Sequence, residues 1–589
     1  MRKLKRMMQE AHAASAESAA TGIPIGEVSE LRAERRNQNI AASREVVETY
    51  NDAAKRVRER GALEDHVAKA RALENVHRVG RGQPPIARRH FLKLAGIAAA
   101  AFVARPRRAQ GAQLPRIAIV GGGLAGLRCA HTLWMERGLV STVYDAQTPG
   151  GRCETNRGYF RNDQIAEMHG EFISSEHTAV KNLGAGFSLG LDDLWSYPNH
   201  TEDTYFFKGA SYTQSQLNAD WKSFGYDVFH RAVQQVPAPQ SWDAHSALAA
   251  EWDGQDVRTW LTNNLPGGVD TNFGHMCLEA TIGNFGGAPE DISALNTIFM
   301  LGYNTSGNNR QYQPPSYPYV SGTDERWHFT GGNDRMVSGM IGELPPESIQ
   351  PGMALVALKD NGNATYTLTF KRGASTIQVV ADHVVLALPF KTLRNVDLKR
   401  ARLSALKMTA INELGMGTSG KVIFQFNGHP WVQSGFDGNC LADSPTNWLW
   451  EMNYQRDNNN APTGILVQYP GAGTTPAYVK KYGITQDEGV PPAKMVKDVL
   501  GAIERIFPGC QAAYSGRAWY HFGLNDPWVQ GGYSYWRVGQ ITGFSGYERV
   551  PEGNIHFAGE HTSQDFQGYM EGALRSGERC ALEILSSGD

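Results

Sequence analysis

The sequence predicts an α/β fold built around a Rossmann-like nucleotide-binding domain, on three observations. An apolar strand pattern, Arg116–Val120, runs directly into Gly121-Gly122-Gly123-Leu124-Ala125-Gly126 and a helix through about Arg137. A second strand, Ser141–Tyr144, ends at the acid Asp145. At 589 residues and 41% hydrophobic content, the chain exceeds the size at which one core stops growing, so at least two domains are expected.

Each part of that unit has a physical use. Gly121, Gly123 and Gly126 fill the three slots of GxGxxG. The first permits a tight turn, the second lets backbone approach a pyrophosphate, and the third allows close helix–strand packing, while the helix N-terminus faces the phosphate charge. Asp145 follows about twenty residues after the last glycine, where a carboxylate accepts hydrogen bonds from an adenosine ribose. These features serve NAD and FAD equally, and a glycine turn without nucleotide is the plainer alternative.

Composition narrows the function classes. A formal net charge of -2 supplies no overall basic field, so no nucleic-acid partner is expected. Cys129, Cys153, Cys277, Cys440, Cys510 and Cys580 lie far apart, with no CxxC and no His pair at metal spacing. No metal site is expected, and buried free thiols are.

Residues 1–85 form a charged, helix-compatible N-terminal extension that lacks Trp and Phe, a composition suited to solvated helices. Segment 86–112 then holds Ala87-Arg88-Arg89-His90-Phe91-Leu92-Lys93, the apolar run Leu94–Val103, and Ala109-Gln110-Gly111-Ala112. It resembles a twin-arginine export signal. The apolar run is about half the roughly 20 residues that span a bilayer, so an export signal cleaved near Gly111 or Ala112 is expected, with no stable membrane span. The resemblance implies a periplasmic or secreted protein exported already folded. A buried Ala-rich helix after a chance Arg pair is the alternative.

Five further segments follow in order: Gly150-Gly151-Arg152; Glu167-Met168-His169-Gly170-Glu171-Phe172-Ile173; Gly331-Gly332-Asn333-Asp334-Arg335-Met336; Asp382–Pro389; and Asn554–Glu560 with Gly568-Tyr569-Met570-Glu571-Gly572. Together they resemble the flavin monoamine oxidase family, which includes monoamine, polyamine and L-amino-acid oxidases. The resemblance covers Pro115–Asp589.

That resemblance implies FAD as cofactor, bound by Gly121, Gly123, Gly126, Asp145, Gly151, Arg152, Val356, Gly559, Glu560 and Met570. Val356 is placed on a strand whose backbone meets the adenine, and Gly559 is small enough to admit the cofactor. Glu560 can hydrogen-bond ribityl or ribose hydroxyls. A helix beginning near Tyr569 would aim its free N–H groups, Met570 foremost, at charge on the reduced flavin. Lys421 matches a lysine that holds a water against flavin N5, where an ammonium favours oxygen chemistry. Tyr569 forms one wall of a substrate cage, and Gly531-Gly532-Tyr533-Ser534-Tyr535-Trp536 should supply the other through Tyr535 and Trp536. Aromatic walls strip water from an amine and guide its nitrogen. Some members attach flavin through a cysteine after this Gly-Gly pair; Tyr533 stands there, so noncovalent FAD is expected.

The implied architecture is a Rossmann-like FAD-binding domain assembled from 113–185, 325–395 and 545–589, with an inserted mixed α+β substrate-binding domain from 186–324 and 396–544. The implied reaction oxidises an amine to an imine by hydride transfer to flavin N5, with O2 reduced to H2O2. Phe172 stands where amino-acid oxidases place a carboxylate-binding arginine, which weakens the amino-acid reading unless Arg310, Arg326 or Arg537 serves instead. Glu171 could pair with the second amine of a diamine or a basic amino acid. The alternatives are an L-amino-acid oxidase and a flavin desaturase or dehydrogenase with another electron acceptor. A homodimer is a further expectation.

Overall fold

The apolar run Ile117–Val120 is buried on both faces and forms the middle strand of a five-stranded parallel sheet. The order is Ile555–Phe557, His383–Leu386, Ile117–Val120, Thr142–Tyr144, Ile349–Gln350. The computed structural model describes residues 114–194, 204–302, 324–452 and 462–587. The extension 1–85, the signal-like segment 86–112 and Arg310 lie outside the described residues.

Alternation along the middle strand sorts its side chains into two layers. Ile117 and Ile119 pack with Leu127, Ala130 and Leu574 of the helices Leu124–Arg137 and Met570–Ser586. Ala118 and Val120 pack with Leu368 and Phe370 of a four-stranded sheet. That sheet runs Ser375–Ala381, Tyr366–Arg372, Ala354–Asp360, Asp397–Arg400. The helix Leu124–Arg137 ends where Gly138 turns left-handed, and it supplies the crossover that two parallel strands require. This is the expected Rossmann-like layer arrangement, and the fold is α/β with a second, mixed body of helix and sheet.

The second body is organised by an eight-stranded sheet: Glu488–Gly489, Tyr514–His521, Lys421–Asn427, Thr463–Tyr469, Asn447–Glu451, Cys440–Ala442, Thr204–Phe207, Ala210–Thr213. Strand Lys421–Asn427 is buried through six of its seven residues. Ile423 faces one core with Ile465 and Val467, while Val422, Phe424 and Phe426 face the other. The parallel sheet takes its strands from 113–185, 325–395 and 545–589, and the eight-stranded sheet from 186–324 and 396–544. Strand Asp397–Arg400 pairs with Ala354–Asp360, so the chain leaves the nucleotide-side body a few residues after position 395.

All six cysteines are buried and free. Among the described residues, no helix is long and apolar enough to cross a membrane.

Candidate functional site

A cavity of about 800 Å³ runs through the described residues, and its walls come from both sheets and both ends of the sequence. At one end it meets the glycine turn. Gly121 has φ 105, and its N–H donates to Tyr144 O at 2.8 Å, which draws the turn over the neighbouring strand. A Cβ on Gly126 would lie 1.9 Å from Gly121 O, so only glycine lets the helix begin this close to the strand. Gly123 caps that helix without a side chain, leaving the first N–H groups available to an anion. Asp145 lines the same end and accepts from Gly122 N at 2.5 Å and Gln147 N at 2.7 Å. Burial pushes its carboxyl above the ordinary value, against those two hydrogen bonds.

The middle of the cavity is held by an ion pair. Arg152 donates to Glu560 Oε1 at 2.9 Å and to Gly532 O at 2.8 Å. Glu560 also accepts from Ser534 Oγ at 2.7 Å and Gly568 N at 2.8 Å. Burial alone would raise its carboxyl, but the Arg152 charge, His561 and the Ser534 hydrogen bond hold it below its ordinary value. An ionised Glu560 thus ties the Gly-Gly-Arg segment, the Gly531-Gly532 turn and the C-terminal signature together. The helix Met570–Ser586 starts at this point; Tyr569 precedes it with no side-chain cap, and Met570 lines the cavity.

At the far end, Lys421 begins its strand fully enclosed, 3% exposed. Its Nζ donates to Glu171 Oε2 at 2.7 Å and to Glu167 O at 2.8 Å, while Trp450 Nε1 donates to Glu171 Oε1 at 3.0 Å. A buried ammonium is tolerable only with such compensation. Glu171, read from sequence as a substrate residue, therefore serves in this structure as the counter-ion of Lys421. Phe172 lines the cavity beside them.

The aromatic walls differ from expectation. Tyr569 lines the cavity, and His177 packs edge-on against its ring at 5.0 Å. The residue from the Gly-Gly segment that joins it is Tyr533. Tyr535 hydrogen-bonds Asp291 at 2.6 Å and is buried in the core of the second body, and Trp536 Nε1 donates to Glu548 at 2.9 Å. Neither lines the cavity. The chain touches the cavity at Gly532 and Tyr533, then strand Ser534–Tyr535 pairs with Gly415–Met416 and carries the next side chains away. Tyr533 is fixed by its own donation to Gly283 O at 2.7 Å. Burial pushes its phenol up to about 12, so it stays neutral.

Val356 is also displaced from its expected place. It falls at the bulge between Leu355 and Ala357 and is 38% exposed, while Met353 and Leu355 line the cavity. A bulge resets which faces successive side chains take, and nothing in a single sequence marks it. Of the other expected positions, Gly121, Gly123, Asp145, Gly151, Arg152, Gly559, Glu560, Met570 and Lys421 line the cavity, and Gly126 packs beneath it.

Among the cavity residues not singled out from sequence are Tyr533, Trp450, Tyr469 and Glu325. Tyr533 had a usable signal, the Gly-Gly pair before it. Trp450 and Tyr469 sit in strands that read as ordinary core. Glu325 accepts from Tyr569 Oη at 3.4 Å, and burial pushes its carboxyl up to about 8. The arginines considered for a carboxylate are engaged elsewhere: Arg326 with Asp193, and Arg537 with Asp291.

The cavity suits an elongated flavin nucleotide. It joins the glycine turn, suited to phosphates, to an aromatic end continuous with it, and the buried Nε2 of Gln567 on its wall has no hydrogen-bond partner among the described residues.

Comparison with known proteins agrees with this geometry. Residues 124–585 match the model of the flavin containing amine oxidoreductase family. An amine oxidase [flavin-containing] of Danio rerio is 22% identical over 495 residues, covering 80% of this chain and 85% of that protein. Amine oxidase [flavin-containing] B of Cavia porcellus is 24% identical over 487 residues, with 80% and 86% covered. Among solved structures, wild-type putrescine oxidase bound to putrescine superposes with a TM-score of 0.64 at 19% identity, over 80% of this chain and 99% of that one. Cyclohexylamine oxidase from Brevibacterium oxydans gives 0.65 at 18% identity, over 81% and 99%. At such identity the superpositions speak to the fold alone, and the family match carries the assignment: the chain belongs to the flavin containing amine oxidoreductase family and is a flavin-dependent oxidoreductase.

Proposed function

We propose that the protein is an amine oxidase that binds FAD noncovalently, converts a small amine to an imine, and passes the electrons to O2. One observation carries the reading. Lys421, Tyr533 and Tyr569 stand on the same cavity as the glycine turn, although they come from distant parts of the chain. When bound, the flavin accepts a hydride equivalent from the carbon beside the nitrogen and returns two electrons to O2, so that amine and O2 become imine and H2O2. Water then converts the imine to a carbonyl and ammonia.

The chain's own groups fit that chemistry. Tyr533, Tyr569 and Phe172 provide apolar walls that desolvate an amine and favour its neutral form. No general base is needed once the amine arrives neutral. Lys421, held in place by Glu171, offers a fixed positive charge where oxygen gains electrons. The start of helix Met570–Ser586 offers uncapped N–H groups to negative charge.

Noncovalent binding is supported by Tyr533 at the Gly-Gly position and by the state of Cys153, the cysteine that lines the cavity. Burial, with nearby Glu167, raises its thiol well above the ordinary value, which keeps it unreactive. An amine substrate, as against an amino acid, is supported by Arg152 being the arginine on the described cavity wall and already committed to Glu560. Two structures of like fold carry the names putrescine oxidase and cyclohexylamine oxidase, which is in keeping. We also propose export by a twin-arginine-type route; replacing Arg88 and Arg89 with Lys should hold the chain in the cytoplasm, and unaltered export would reject it.

The test is a peroxide-coupled screen of amines against amino acids with purified yellow protein. Peroxide formed with amines supports the reading. Reduction of the flavin by amines with no peroxide under air would point to a dehydrogenase.

A further inference from the structure

We propose that His169 and His521 form a proton relay from the partly exposed Glu488 carboxylate to the cavity that holds Lys421, and that this relay delivers the proton O2 needs to become H2O2. The proposal rests on the amine-oxidase reading and adds residues to its oxygen half-reaction.

Strand register builds the row. His521 ends strand Tyr514–His521, where it is paired on one side with Lys421 and on the other with Glu488. Directly opposed residues of antiparallel strands put their side chains on one face, and all three line the cavity. Glu488 stands at the outer end, its side chain 34% exposed, with Trp519 Nε1 donating to Oε2 at 3.3 Å. His521 is in the middle, 3% exposed, and its Nδ1 lies 3.8 Å from that same Oε2. His169 stands inside, partly exposed on the cavity wall, its ring edge-on to that of His521 with centroids 4.0 Å apart.

No structural hydrogen bond accounts for the middle imidazole. Neither ring nitrogen of His521 has a hydrogen-bond partner among the described residues, and a buried polar atom without one costs stability. Both nitrogens are thus left able to take a proton from one neighbour and pass it to the other. The side-chain rotations needed to close 3.8 Å to hydrogen-bond length are modest, and catalytic contacts are commonly long before substrate binds. The charged groups facing the pair are Lys421 and Arg152, which are positive, and Glu488, Glu154, Asp487 and Asp526, which are negative. Burial, and after it the charges of His521, Arg152 and Lys421, hold His169 well below its ordinary value, so it rests neutral and readily surrenders any proton it is handed. The His521 imidazole holds Glu488 below its ordinary value in turn, which keeps the outer carboxylate ionised.

The step balances. O2 takes two electrons and one proton from the anionic reduced flavin. Its second proton comes from a His169 N–H, that bond breaking as the second O–H bond of H2O2 forms. His521 gives a proton to the other nitrogen of His169, and solvent restores it to His521 through Glu488, so that one proton enters for each O2 consumed.

The experiment uses full-length holoenzyme whose flavin is reduced by light, without air or amine, and then mixed with oxygenated buffer at a series of pH values. In wild type, reoxidation should slow as pH rises and the relay loses its proton. His521→Gln and His169→Gln should each be slower by at least about tenfold and lose that pH dependence. The double variant should be no slower than the worse single one, as expected of groups acting in series. A wild-type rate in either single variant, or an unaltered pH profile, overturns the proposal. Added imidazole should restore His169→Gly in proportion to its protonated fraction, which a merely structural role would not allow; absence of rescue counts against the relay. A second readout needs no turnover. In flavin-free protein carrying isotope-labelled glutamate, the NMR carboxyl signal of Glu488, assigned by its loss in Glu488→Gln, should titrate at higher pH in His521→Gln, because the imidazole that held it low is gone. An unmoved titration removes the outer link and with it the relay. Reduction by light keeps the two ideas apart: if amines never reduce the flavin but the reoxidation results hold, the amine reading fails and the relay stands.

Discussion

Lys421 shows how much a single side chain depends on its surroundings. In isolation, an ammonium on a buried strand would be expelled or neutralised. Here Glu171 and the Glu167 carbonyl hold it in place. Lys421→Met should keep the flavin bound and slow its reoxidation by O2 at least about tenfold, measured by stopped-flow mixing of reduced enzyme with oxygen. An unchanged rate would remove Lys421 from the oxygen chemistry. Glu279 makes a prediction of another kind. Burial raises its carboxyl from the ordinary 4.5 to about 7, against the Asn447 hydrogen bond. Because the folded value lies above the unfolded one, the folded state is favoured fully below about pH 4.5, and that stability is lost as pH rises through about 7. Glu279→Gln should therefore gain on the order of 1–3 kcal/mol relative to wild type at pH 8 and little at pH 4. Thermal unfolding across that range reads the difference.

At the scale of elements, the strand–turn–helix unit Ile117–Arg137 was legible almost to the residue, because its signals are local: an apolar run, then glycines where Cβ atoms do not fit, then a left-handed Gly138 at the end. Gly126→Ala would place a methyl 1.9 Å from Gly121 O. The helix must then back away from the strand, costing about 1–3 kcal/mol or more and reducing flavin content in the purified protein. Full retention of flavin with an unshifted unfolding midpoint would contradict that packing. The start of the helix Met570–Ser586 was legible from Gly-Tyr-Met-Glu-Gly. Strand Ala354–Asp360 was recognised, but its bulge was not, and the cavity is lined there by Met353 and Leu355 while Val356 is not on its wall.

For the whole molecule, the cavity forms only because segments far apart in sequence converge. Arg152, Gly532, Ser534, Gly568 and Glu560 meet in one hydrogen-bonded knot. Acid precipitation of the yellow protein should release the flavin into the supernatant, since the cavity cysteine is held as an unreactive thiol. Flavin that pelleted with the chain would disprove noncovalent binding. Free flavin added to stripped protein should raise the unfolding temperature with concentration, as expected when a ligand binds the folded form alone.

The sequence by itself determined the fold class and the strand, glycine turn and helix that bring Gly121, Gly123 and Asp145 to the cavity, because each is written in a short run of residues whose geometry is set by its neighbours. Tertiary structure alone decided that Tyr533 and not Tyr535 faces the cavity, that Glu171 pairs with Lys421, and that Glu325 stands beside Tyr569. Those outcomes depend on where one strand turns away and which segment packs opposite, and such long-range pairings are fixed by burial and charge compensation across the folded chain.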